Sequence, residues 1–352
     1  MSVLEKLKKA STVKEAEILS ASKFFEKKDM IPTQVPMINV ALSGKLDGGF
    51  TPGLTMFAGP SKHFKTGFTL LMVKAYLDKY EDASVLFYDS EFGAPQGYFK
   101  TFGIDTSRVL HTPVSDIEQL KVDITNQLNV ITRGDHVCIV IDSIGNLASK
   151  KEIDDALEAK SAADMTRAKQ IKSLFRIVTP HLTIKDIPMI VVNHTYKEIG
   201  MFPKDIVGGG TGSYYSAQNI FILGRQQEKD GTELTGYNFI INVEKSRYVK
   251  EKSKIPISVA MEGGISPWSG LLEIALESGH VIKPKNGWYQ KVDMETGEVY
   301  DKNYREADTD TKDFWLPILK SKDFRAFIEK KYMMASGDIL SDDKMDEIYD
   351  EE

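Results

Sequence analysis

The residues with the most chemical content lie in one short stretch, Gly59-Pro60-Ser61-Lys62-His63-Phe64-Lys65-Thr66-Gly67, which opens a helical pattern running to Tyr80. A phosphate loop needs backbone N–H groups curled around anionic oxygens at a helix N-terminus, a lysine for the β- and γ-phosphates and a hydroxyl for Mg²⁺. Gly59, Lys65 and Thr66 fill those roles at the required spacing. Phe64 departs from the pattern, because glycine usually stands there and any other residue must adopt a costly backbone conformation. A lysine-bearing connection between strand and helix is the alternative reading of the stretch alone.

Two later carboxylates bear on that choice. One apolar run ends Phe87-Tyr88-Asp89-Ser90-Glu91 and another ends Val140-Ile141-Asp142-Ser143. Asp142 is placed to hold Mg²⁺ through water, and Glu91 to orient or deprotonate an attacking water. A lone Asp after a strand is better read as a helix N-cap. Three motifs at three successive strand ends argue against coincidence.

These groups require a scaffold that aligns strand ends. Between Leu54 and Val243, short β-rich runs alternate with longer helical patterns; the runs are 54–58, 84–88, 137–141, 189–193, 219–223 and 238–243. Near-continuous apolar strands in such alternation predict an α/β fold, a mainly parallel sheet with helices on both faces. Ligands bind such sheets beyond the carboxyl ends of the strands, which is where the motifs fall. Residues 1–30 read as an N-terminal helical arm and 31–270 as the core. Residues 271–336 read as a small C-terminal α-rich domain with a turn at Asn286-Gly287-Trp288-Tyr289, and 337–352 as an acidic tail.

The 352-residue chain has a formal charge of −6, yet eight acidic residues against Lys344 give the tail −7 and leave about +1 elsewhere. Such a tail reads as solvated and able to compete with other polyanions for basic patches elsewhere on the chain. No apolar run approaches the roughly 20 residues that span a bilayer, and the first residues are charged and amphipathic. No membrane span or export signal is expected. Cys138, the single cysteine, lies in an apolar run, so no intrachain disulfide can form and a cytoplasmic location fits.

Together, Gly59 to Thr66, Phe87 to Gly93, Ile141 to Lys151, Val192-Asn193-His194-Thr195-Tyr196 and Gly208-Gly209-Gly210-Thr211-Gly212 resemble the RecA recombinase family, and in particular the phage UvsX recombinases. The similarity continues through Glu262-Gly263-Gly264-Ile265 and Lys285-Asn286-Gly287-Trp288-Tyr289. The UvsX type also lacks the second glycine, which turns Phe64 into a supporting detail. The resemblance implies a RecA-like P-loop ATPase core that uses ATP and Mg²⁺. It also implies a homo-oligomeric helical filament on single-stranded DNA, paired with homologous double-stranded DNA. A phage protein of this kind works in the host cell cytoplasm, beside a single-strand-binding protein and a recombination mediator. The N-terminal arm of the family packs on the adjacent protomer; a freely solvated amphipathic arm is the other reading.

Particular residues acquire roles from the same resemblance. Tyr98 falls where the family stacks a ring on adenine, although helix packing also explains an aromatic there. His194 replaces the glutamine with which bacterial RecA senses the γ-phosphate; without the family it reads as a satisfied polar residue. Lys245 and Arg247 resemble the basic pair that reaches a neighbour's ATP, with a solvated basic strand end as the alternative. Two segments suit DNA. Lys150 to Arg176 carries Lys160, Arg167, Lys169, Lys172 and Arg176, several on one helical face, which is either a phosphate-binding or merely a solvated surface. Thr195 to Gly212 offers Lys197, Met201, Phe202, Lys204, Gly209 and Gly210, a Gly-rich loop whose apolar tip suits wedging between bases or packing on a neighbouring subunit. A RecA-core hexameric helicase or loader and a non-hydrolysing recombination mediator are the rival functions.

Overall fold

The computed structural model describes residues 1–13, 15–22, 29–158, 165–198 and 204–334. In chain order its helices are α1 (Val3–Ala10), α2 (Pro36–Ser43), α3 (Lys65–Lys79), α4 (Gln96–Thr101), α5 (Ile117–Val130), α6 (Lys150–Leu157), α7 (Thr166–Ile184), α8 (Thr211–Ser216), α9 (Leu271–Glu277), α10 (Lys312–Lys320) and α11 (Lys322–Tyr332). The strands are β1 (Gly53–Ala58), β2 (Ser84–Asp89), β3 (Val109–Pro113), β4 (Val137–Asp142), β5 (Pro188–Asn193), β6 (Thr195–Lys197), β7 (Asp205–Val207), β8 (Asn219–Asp230), β9 (Glu233–Lys245), β10 (Lys254–Ala260), β11 (Val281–Lys285) and β12 (Trp288–Lys291).

Eight strands form one sheet in the order β10-β9-β8-β1-β5-β4-β2-β3. The six from β8 to β3 run parallel, and β8, β9 and β10 continue antiparallel at one side. The central strands are apolar on both faces because helices cover both. Leu54 and Met56 of β1 join a buried cluster with Leu120 and Ile124 of α5 and Leu174 and Phe175 of α7. Phe57, one residue away and so on the opposite face, joins Met37 and Ile38 of α2 and Phe68 and Leu70 of α3. Cys138 is fully buried on that second side, and burial pushes its thiol up to about 12, so it is an inert packing residue.

The sequence pattern predicts the six principal runs but not β3 or β10. Both are edge strands: β3 is largely exposed, and β10 contains Pro256, which an edge tolerates. Neither presents a continuous apolar run. β8 and β9 also extend well beyond 219–223 and 238–243 into a polar two-stranded ribbon that turns at Gly231.

The segment after the sheet contains α9, α10 and α11 and also the β11–β12 hairpin. Its Leu271, Trp315, Phe324 and Ile328 belong to the same buried cluster as Phe57 and Ile255, so it caps the sheet as a continuation of the main core. α1 is closed by a Ser2–Glu5 capping box and buries nothing; Val3, Leu4 and Leu7 are exposed. Among the described residues no helix is long and apolar enough to cross a membrane.

His280 ties the cap together. It is 3% exposed, its Nδ1 lies 3.0 Å from Ser278 Oγ and its Nε2 3.2 Å from Ser321 Oγ, and Phe324 packs edge-on against it. Burial lowers its pKa from 6.5, outweighing Ser278 and Asp323, which raise it. The folded state thus favours the neutral ring, and that stabilisation is present above the unfolded pKa and lost as pH falls through and below about 6.5. Between pH 7.5 and 5, the wild-type melting temperature should fall by about 2 °C more than that of His280→Gln. Parallel pH profiles in thermal denaturation would refute this.

Candidate nucleotide site and DNA-facing segments

The phosphate loop is built where β1 ends and α3 begins. Lys62 and Phe64 both adopt left-handed backbone, with φ of 62° and 58°. For a phenylalanine that conformation costs about 1–2 kcal/mol. Packing offsets the strain: the Phe64 ring stacks on Phe239 at 5.3 Å and meets Phe68 edge-on at 5.4 Å. Space for the ring comes from Gly67, where an added Cβ would lie 2.3 Å from a Phe64 ring carbon.

Lys65 is 7% exposed and donates from Nζ to Pro60 O at 2.8 Å. Burial lowers its pKa, against the opposing pull of Glu91 and Asp142. The Thr66 hydroxyl donates to Asp142 Oδ2 at 2.6 Å, while Asp142 Oδ1 is buried without a hydrogen-bond partner. Burial pushes the Asp142 carboxyl up to about 6. A hydroxyl beside a carboxylate whose second oxygen is buried and unpartnered, at a helix start, suits Mg²⁺, a hard ion that keeps several waters.

Glu91 Oε1 accepts from Ser143 Oγ and lies 2.7 Å from His194 Nε2. The His194 hydrogen bond, followed by that of Ser143 against partial burial, draws Glu91 down to about 2, so it is a carboxylate at any working pH. Asp89, to which the sequence reading gave no role, sets the turn that aims Glu91: its Oδ1 accepts the backbone N–H groups of Glu91 and Phe92. An Asp followed two residues later by a functional group is the turn signal that could have revealed it.

These groups line a cleft of about 510 Å³ that also takes in Ser61, His63 and Tyr98. Its lining also includes Arg225, Tyr237, Phe239 and Met261, none of which sequence reasoning singled out. Arg225 donates to Lys62 O and lies over the Tyr237 ring at 4.8 Å. Lys245 and Arg247 do not line the cleft of their own chain. Lys245 donates to Tyr214 O at 2.7 Å, and Arg247 is exposed.

The second expected DNA segment begins beside His194. Asn193 Oδ1 accepts the His194 N–H, Asn193 Nδ2 donates to Gly208 O, and Gly208 N–H donates to His194 O. Beyond this neck the chain forms a β6–β7 ribbon rather than an irregular loop. Lys197 pairs with Asp205 at 2.8 Å and Lys204 is exposed, whereas Met201 and Phe202 lie outside the described residues. Two of the glycines also pack closely: a Cβ on Gly212 would sit 2.7 Å from Lys172 Cα, and one on Gly209 would sit 3.2 Å from Ile171. They let this strip lie against α7. Gly210 is exposed.

On α7, Lys169, Lys172 and Arg176 are exposed, and their spacings of three, four and seven put them on one helical face. Arg167 departs from the expectation that it faces DNA. Two residues before Lys169, it points to the opposite side and donates to Leu147 O, Ile144 O and Gly145 O at 2.6, 3.1 and 2.7 Å. Lys160 and the acidic tail lie outside the described residues.

Fold and site together define a P-loop nucleotide-binding α/β protein. The model of the RecA N-terminal domain matches residues 4–266, and that of the C-terminal domain of the bacteriophage T4 recombination and repair protein matches 268–328. The chain is 54% identical over 337 residues to the recombination and repair protein of Enterobacteria phage T4, spanning 95% of this chain and 86% of that one. It is 28% identical over 265 residues to the RecA protein of Streptomyces rimosus, spanning 74% and 68%. The crystal structure of the RadB recombinase superposes with a TM-score of 0.48 at 19% identity, covering 65% of this chain and 96% of that one. The chain belongs to the RecA family of recombinases, and within it is similar to the phage T4 protein along nearly its whole length.

The Phe64–Gly67 contact yields a double-mutant prediction. Gly67→Ala should weaken nucleotide binding about tenfold by driving the Phe64 ring out of place, and Phe64→Gly in the same chain should recover most of the loss, a coupling of about 1 kcal/mol. Additive losses in a fluorescent-nucleotide titration would contradict the packing explanation.

Proposed function

We propose that this protein is a DNA-dependent ATPase that assembles as a helical filament on single-stranded DNA and exchanges strands with homologous duplex. The observation that carries this reading is the Glu91–His194 pair, because His194 also anchors the neck of the second DNA segment through Gly208. Nucleotide state and DNA grip thereby share one residue.

Lys65 and the loop N–H groups hold the β- and γ-phosphates of ATP, and Tyr98 stacks on adenine. Thr66 and Asp142 hold Mg²⁺, which when bound neutralises phosphate charge. Glu91 orients the attacking water. While His194 holds it, Glu91 is too weak a base to do more; when a γ-phosphate takes over the His194 hydrogen bond, Glu91 regains basicity. Lys245 and Arg247 act on the ATP of the adjacent protomer, which makes hydrolysis depend on assembly. The exposed apolar residues of α1 suit packing on that protomer.

Lys169, Lys172, Lys197 and Lys204 contact DNA phosphates, and Arg176 shares their helical face. Gly210 approaches the backbone, and Met201 and Phe202 wedge between bases. Strand exchange requires no covalent chemistry on DNA. A single-strand-binding protein and a mediator are the expected partners, in the host cell cytoplasm.

Hydrolysis measured with and without single-stranded DNA tests the whole scheme. Strong DNA stimulation should be lost, by about 100-fold or more, in Lys65→Ala, and Lys245→Ala should be deficient alone but partly restored by mixing with wild type. Turnover indifferent to DNA, with closed rings in electron micrographs, would instead favour a ring-forming RecA-core ATPase.

A further inference from the structure

Arg167 stands on the side of α7 away from Lys169, Lys172 and Arg176, and its guanidinium is committed to the three carbonyls of Ile144, Gly145 and Leu147. That short segment follows directly on the hydrolytic groups. Ser143, fully buried, donates to Glu91 Oε1, and its own backbone is fixed at both ends by Ser90: Ser143 N–H donates to Ser90 Oγ, and Ser90 Oγ–H donates to Ser143 O. Gly145 packs against the imidazole so closely that a Cβ there would lie 2.5 Å from His194 Cδ2. The carbonyls held by Arg167 therefore belong to the wall that sets where Glu91 and His194 meet.

We infer that Arg167 is a positioning residue for ATP hydrolysis, through which DNA bound on the outer face of α7 sets the geometry of the Glu91–His194 pair. α7 is one continuous helix, so a shift of its outer cations onto phosphates carries Arg167 with it. The rigid fork of the guanidinium transmits that shift to three acceptors at once, which a single ammonium cannot do. Small displacements suffice, since misplacing a catalytic group by about 1 Å costs on the order of 100-fold in rate. The same helix supports Gly209 and Gly212, so both DNA-facing segments rest on the element that bears Arg167. This route is separate from the one through Gly208, and it rests on reading α7 as a DNA face.

The test uses the full chain with Arg167→Ala, Arg167→Lys and, as a control, Lys169→Ala/Lys172→Ala. Three quantities are measured: single-stranded DNA affinity against salt, KM for ATP, and the ratio of DNA-stimulated to basal turnover. For Arg167→Ala, DNA affinity, its salt slope and KM should stay within about twofold of wild type while the ratio falls about tenfold or more. Ethylguanidinium should partly restore that ratio, and Arg167→Lys should fall between the two. The control should lose salt slope, by about 1 for each phosphate contact removed. A salt slope reduced in Arg167→Ala with an unchanged ratio would make Arg167 a phosphate contact and overturn the inference. So would equal losses of basal and stimulated turnover with a collapsed melting temperature, the signature of structural support alone. If the control binds DNA as wild type does, the DNA face on α7 is itself wrong, a failure distinct from that of Arg167.

Discussion

Everything at the site depends on the register of four parallel strands. Ala58 of β1 stands beside Asn193 of β5, Asp89 of β2 beside Asp142 of β4, and Ile141 of β4 beside Val191 of β5, so all four strands end within one residue of each other. The next residues of each chain segment are then Gly59, Ser90, Ser143 and His194, and they have nowhere to go but the same crevice. Parallel strands hold this register only while both faces stay buried. The two apolar clusters therefore fix the position of Glu91 as firmly as any hydrogen bond near it. A one-residue slip of β4 would exchange the faces of its side chains and take Asp142 away from Thr66.

Within that crevice the charges are left deliberately incomplete. Asp142 has one oxygen on Thr66 and one with no partner; Lys65 is buried on a carbonyl. Burial raises the first and lowers the second, so each group is held in an environment that disfavours its charge. Under the proposed function, ligand phosphates and a cation would restore what burial removes. Glu91 is the opposite case, satisfied twice by Ser143 and His194, and it stays ionised. In the proposed scheme it is around this satisfied group that hydrogen bonds redistribute when nucleotide binds.

The part of this legible in the sequence was the part encoded by contiguous residues. Gly59 to Gly67, Glu91 and Asp142 announce themselves because each motif sits at the end of an apolar run, and spacing within a loop survives folding unchanged. The part of the cleft wall formed by Tyr237, Phe239 and Arg225 did not, because the antiparallel ribbon brings it across from a remote part of the chain. β3 and β10 were missed because edge strands lack continuous apolar patterning. Arg167 is instructive: grouped by composition with its basic neighbours, it belongs by helical angle to the other side of α7. Periodicity within the segment, rather than its charge count, held the information. The glycines near 209 to 212 likewise carried two meanings, ligand approach and helix approach, and the second becomes visible only in their packing against Ile171 and Lys172.

Phe64 shows how such a site tolerates a departure from its own rule. A glycine would adopt the left-handed turn freely, whereas phenylalanine adds a large ring at a strained position. That ring is worth its strain only because Phe68, Phe239 and Phe102 surround it and Gly67 yields space. Phe239 lies on β9, so the phosphate loop is braced against the antiparallel extension of the sheet as well as against its parallel centre. A loop of glycine would be indifferent to movements of that extension, but a loop anchored by Phe64 must follow them. The substitution thus converts a freely hinged phosphate cradle into one mechanically joined to the strand that ends in Lys245. Both ends of the proposed intersubunit contact, the cradle that receives ATP and the cation offered to a neighbour, are therefore fastened to β9.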